Sequence, residues 1–143
     1  MSFTKKEIMN ITGMAAHQVQ FYTEAGVIPP DDDSGEGRGR LRKWSKQRLF
    51  EFLILAELLR FKMKLPFVRE TIEFLRSSGA TLGCESIPKD SFLSICTSAT
   101  GRFDAGFGSS APGEAILRWE DMDGYDSVVV IKLNRLLGLL KEA

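Results

Sequence analysis

A chain of 143 residues has room for one ordinary domain or two small ones, and its 43% hydrophobic content suffices to build a core. Its apolar runs are far shorter than the ~20 residues that span a bilayer, and no apolar segment follows the N-terminal lysines, so the expectation is a globular, cytoplasmic protein with no membrane partner. The charges cancel, but residues 1–80 carry 13 Lys+Arg against 10 Asp+Glu and residues 81–143 carry 6 against 9, so only the first part suits a nucleic acid.

In chain order, the first helix start is well specified. Thr4 as N-cap and Glu7 three residues on form a capping box, with Phe3 and Ile8 at the positions of a hydrophobic staple. A helix from about Lys5 to Ile11 follows. Thr12-Gly13-Met14 breaks it, the glycine supplying the freedom that a sharp turn requires. A second helix runs from about Ala16 to Ala25, with Gly26 as its stop. The pair has the length and punctuation of a helix-turn-helix. Val19 and Phe21 or Tyr22 are the candidates to pack inward. His17, Gln18 and Gln20 lie in or near the N-terminal half, from which recognition helices present side chains to base edges in the major groove. The alternative for each is an exposed polar residue with no reading role.

Val27-Ile28-Pro29-Pro30 reads as a short strand stopped by prolines, and Asp31 to Gly39 as a loop. From Gly37 to Arg48 the chain carries Arg38, Arg40, Arg42, Lys43, Lys46 and Arg48 without one carboxylate. If residues 40–44 are extended, alternation sends Arg40, Arg42 and Trp44 to one face and Leu41 and Lys43 to the other. A basic hairpin with a glycine-rich tip between helical segments reads as a wing against a phosphate backbone; the alternative is a solvated basic loop. Trp44, just before the Ser45 N-cap and within reach of Leu49, is expected in the core.

From about Lys46 to Lys62 the apolar positions cover nearly the whole helix circumference, interrupted by Glu51, Glu57 and Arg60. Such a helix is buried on all sides, and either the C-terminal region or a second subunit has to complete its cover. The expectation is a homodimer, which would present two recognition helices to successive major grooves roughly 34 Å apart. Pro66 opens a further helix to about Ser78, with Gly79 past its end.

These segments together resemble the DNA-binding domain of the MerR family of transcriptional regulators. Phe3-Thr4, the Thr12-Gly13-Met14 turn, Val19-Gln20-Phe21-Tyr22, Gly26 to Pro30, Leu41 to Ser45 and Leu65 to Leu75 carry the likeness, in order, over residues 3 to 75. The resemblance implies a winged helix-turn-helix that binds a near-palindromic site in double-stranded DNA as a dimer, often bending or untwisting promoter DNA in response to a signal. The candidate DNA-binding residues are Thr4, Lys5, His17, Gln18, Gln20, Tyr22, Arg38, Arg40, Arg42, Lys43 and Lys46. The chain departs from the family pattern at several points. Gln20-Phe21-Tyr22 stands where an arginine usually precedes two tyrosines, Ala15 where a serine caps the helix, Leu41 for a wing aromatic and Lys62 for a glycine. No long heptad helix follows Leu75.

Residues 80–143 lie outside the resemblance. Phe92 to Thr97, Ala115 to Trp119 and Ser127 to Lys132 read as strands, the last apolar enough for a central position, and Leu136 to Leu140 as a closing helix weakened by Gly138. The glycine-rich stretch from Gly101 to Ser110 reads as a connection rather than an effector loop, since it lacks a Walker lysine and a Rossmann context. Cys84, Cys96 and the lone His17 make a poor metal-ligand set, and no cofactor site or catalytic constellation emerges.

The expected fold class is a mainly α N-terminal winged helix-turn-helix, residues 1–79, followed by a small α+β C-terminal module, residues 80–143, that dimerises or meets an unidentified small-molecule or protein effector. The expected function is a sequence-specific transcriptional regulator, not an enzyme. Two other readings keep the fold: a protein-binding adaptor similar to MerR-like chaperone modulators, with the apolar helix facing its partner, and an architectural factor of excisionase type.

Overall fold

The computed structural model describes residues 1–35, 41–109 and 124–143. A short strand β1 (Ser2–Thr4) leads into α1 (Lys5–Thr12) and α2 (Ala16–Glu24), followed by a hairpin of β2 (Asp32–Ser34) and β3 (Leu41–Ser45). Then come α3 (Lys46–Arg60) and α4 (Leu65–Ser77), a 3-10 turn at Cys84–Ser86, strands β4 (Ser91–Thr97), β5 (Phe103–Ser109) and β6 (Ser127–Lys132), and α5 (Asn134–Glu142). The strand expected over residues 115–119, Arg38 and Arg40 fall outside the described residues.

Local chemistry sets the N-terminal elements. Thr4 and Glu7 cap α1 reciprocally: the Glu7 amide donates to the Thr4 hydroxyl at 3.4 Å and the Thr4 amide to the Glu7 carboxylate at 2.8 Å. Gly13, at φ 74°, turns the chain into α2. Val27 and Ile28 do not form the expected strand. Their amides both bond to the Tyr22 carbonyl, at 3.0 and 3.2 Å, so they wrap the end of α2 behind Gly26 and drop two apolar side chains into the core. The strand begins instead at Asp32, whose side is open to the β3 ladder.

β3 is the centre of a three-stranded antiparallel sheet ordered β1-β3-β2, with Phe3 opposite Trp44 and Asp33 opposite Arg42. Trp44 is buried and meets the Phe52 ring edge-on at 5.9 Å. α3 ends with Met63 N–H on the Leu58 carbonyl and Lys62 N–H on the Leu59 carbonyl, a closure that places Lys62 in the left-handed region at φ 53°.

The cover for α3 comes from its own chain. α5 packs against α3 and buries Leu136, Leu137 and Leu140, while the α3 residues Leu49, Phe50, Phe52, Leu53, Ile54, Leu55 and Leu58 are at most 1% exposed. The burial argument for a second subunit therefore does not hold. One hydrophobic cluster runs from Phe3 to Leu140, across the boundary expected near residue 79.

The second sheet is ordered β5-β4-β6, antiparallel throughout, so β4 rather than β6 is central among the described residues. The stretch expected as a glycine-rich connection is mostly β5. Gly108 leaves room instead of breaking the strand: a Cβ there would stand 2.2 Å from the Phe92 ring, which lies across that position. On the opposite face Phe103 stacks on Phe67 and Phe107 on Phe74, fixing α4 over β5.

Candidate nucleic-acid interface

α2 has two faces. Val19 and Thr23, four residues apart, are buried, and the Thr23 hydroxyl donates to the Val19 carbonyl at 2.8 Å. His17, Gln20, Phe21 and Glu24, at spacings of three and four, are exposed on the other face. Phe21 is half exposed and meets Tyr22 edge-on at 5.0 Å. Tyr22 is partly buried, and that burial pushes its phenol above the ordinary value.

Several polar groups of α2 are already engaged. Ala15 cannot cap the helix with a side chain, and Gln18 closes the end instead, its Oε1 accepting from the Ala15 amide at 3.0 Å. Gln20 donates to Glu24 at 3.0 Å and accepts from Lys5 Nζ at 3.4 Å, tying α1 to α2. Thr4 is committed to the α1 cap.

Arg42 and Lys46, from the hairpin and the start of α3, meet carboxylates of other elements. Arg42 lies on the Trp44 side of β3, turned toward the body, within 3.4 Å of Asp33 and 3.9 Å of Glu24 on α2. Lys46 pairs with Glu85 of the 3-10 turn at 2.9 Å. Lys43, on the other side of β3, has no ion-pair partner among the described residues.

Sequence reasoning missed the junction that holds the hairpin root. Glu51, on α3, is fully buried, and Arg76 of α4 grips it with two bonds of 2.8 and 2.9 Å while also donating to the Val27 carbonyl at 2.8 Å. Arg48 adds a bond at 3.1 Å and Thr81 another at 3.1 Å. Arg48 also lies 3.5 Å from Asp31, whose carboxylate accepts from the Ser45 amide at 2.6 Å. Asp31 opens the hairpin and Ser45 closes it. Its orientation is thus set by a carboxylate that no local pattern reveals. The bidentate contact with Glu51 raises the Arg76 pKa further.

A second carboxylate on α3, Glu57, accepts from Arg60 Nη1 at 3.1 and 3.4 Å and from Arg135 of α5. Cys84 and Cys96 are buried free thiols whose pKa values burial raises. Among the described residues no three His, Cys, Asp or Glu gather to hold a metal, and no helix is long and apolar enough to cross a membrane.

Two capped helices joined by a tight turn, with a hairpin and two further helices packed behind them, define a helix-turn-helix protein. The family model described as MerR HTH family regulatory protein matches residues 3–78, more than half the chain, and the chain belongs to that family. A search of the curated proteins finds no match. Membership suggests a DNA-binding regulator, since the family consists of regulatory DNA-binding proteins that are generally not enzymes.

Proposed function

We propose that this protein is a sequence-specific transcriptional regulator of MerR type, with α2 entering the major groove and the β2–β3 hairpin serving as a wing on the phosphate backbone. What supports this most is the open face of α2. His17 and Gln20 stand on it beside Phe21, while the opposite face is locked into the core by Val19 and Thr23. A recognition helix needs such a division between one face that fixes its position and one that reads. Lys43, with Arg38, Arg40 and Arg42, supplies the backbone contacts, Arg42 exchanging its carboxylates for phosphate. Residues 1–79 carry the recognition helix and the wing, and residues 80–143 complete the core and receive any effector.

The adaptor reading needs the apolar helix open to a partner, and α5 covers it. A pair of copies on a near-palindromic site has to join through a surface other than α3, and light scattering with and without the duplex reads the stoichiometry. The functional test begins by selecting duplexes from a random pool with the full chain. Gln20→Ala should then flatten the sequence preference by about 1–3 kcal/mol per lost base contact. Arg42→Ala with Lys43→Ala should weaken all duplexes alike and lower the salt slope by roughly one unit per lost contact. No selected sequence, or hairpin variants that bind as the parent does, would overturn the reading.

A further inference from the structure

The turn before α2 borders a groove of about 420 Å³ that the MerR-matched segment does not complete by itself. Thr12, Gly13 and Gln18 line one side, Glu57 and Arg60 of α3 another, and Arg135 of α5 the last. Glu57 is mostly buried, its side chain 12% exposed, whereas Arg60 and Arg135 are 72% and 64% exposed. Each arginine gives Glu57 a single nitrogen, so among the described residues the remaining donors of both guanidinium groups are unspent. Two guanidinium groups on one carboxylate leave a local positive charge beside the N-terminal half of α2.

Resting on the reading above, we propose that Arg60 and Arg135 form a clamp for the phosphate backbone of duplex DNA, flanking the recognition helix on the side of the Thr12-Gly13-Met14 turn. When the N-terminal half of α2 enters the major groove, the turn in front of it meets the strand that borders the groove. In the free protein Glu57 holds both side chains beside the groove and cancels one of their two charges, so it competes with phosphate for them. The consequence is that α5, outside residues 3–78, belongs to the DNA surface.

The test compares the full-length parent, Arg135→Ala, Arg135→Lys, Glu57→Gln and the Arg42→Ala, Lys43→Ala hairpin variant on mixed-sequence and selected duplexes across a salt series. Arg135→Ala should weaken binding several-fold on every duplex and lower the salt slope by about 0.9. Arg135→Lys should restore most of that loss. Glu57→Gln, which frees both arginines without removing either, should tighten binding on every duplex. Were the three residues only a surface ion cluster, Glu57→Gln would leave affinity unchanged or reduce it, and that result overturns the clamp. A weakened hairpin variant beside an unchanged Arg135→Ala overturns the clamp and leaves the DNA reading standing. A parent that binds no duplex overturns both.

Discussion

Two carboxylates on α3 are held in outwardly similar ways and do different things. Glu51 and Glu57 each take one arginine three residues away, Arg48 or Arg60, and one from a distant helix, Arg76 or Arg135. Around Glu51 the arginine side chains are 24% and 27% exposed and their donors are also spent on Val27 and Asp31; around Glu57 they are 72% and 64% exposed. Burial makes the first group a fixed joint between the hairpin root, α3 and α4. Exposure leaves the second free to exchange partners. Ion pairs with the same chemistry therefore differ in role because of the water around them.

The largest expected effect breaks the first joint. Arg76→Ala leaves the buried Glu51 side chain with only Arg48 and Thr81, and should cost about 3–5 kcal/mol in urea unfolding. Arg135→Ala, which removes a mostly exposed pair, should cost less than about 1 kcal/mol. Equal losses would erase the distinction between the joints. Leu140→Ala sharpens it within α5 itself: this residue is 1% exposed, and its truncation should cost about 2–5 kcal/mol, although Arg135 on the same helix is nearly neutral. A loss below about 1 kcal/mol would mean that α5 is not integral to the core. An effect of opposite sign lies just beyond Arg60. Lys62 holds φ 53°, and Lys62→Gly should stabilise the chain by about 1 kcal/mol by relieving it. An unchanged midpoint would show that the end of α3 carries no such strain.

The helix pair was legible in the sequence because its signals are local: Thr4 with Glu7, Gly13 and Gly26 each act within a few residues. The all-apolar circumference of α3 correctly required cover on every side, but periodicity cannot say which body supplies it, and α5 does. The glycines of β5 argue against a strand in the sequence because the role of Gly108 depends on Phe92, a residue of the neighbouring strand. Much the same limit applies to the interface. The run from Arg38 to Arg48 contains no acid, yet Arg42 finds Glu24 and Lys46 finds Glu85, partners that only folding brings near. Gln18, a candidate reader of bases, also carries a capping duty, because Ala15 has no side-chain oxygen to cap α2.

The cover that α5 provides also has a consequence in time. α3 leaves the ribosome roughly 75 residues before α5 does, an interval on the order of 4–15 s at ordinary synthesis rates. During that interval the face formed by Leu136, Leu137 and Leu140 does not yet exist, and the α3 surface it will meet is open to chaperones and proteases. A chain cut short before Asn134 keeps that apolar α3 surface exposed. Synthesis of α5 thereby closes the core around α3.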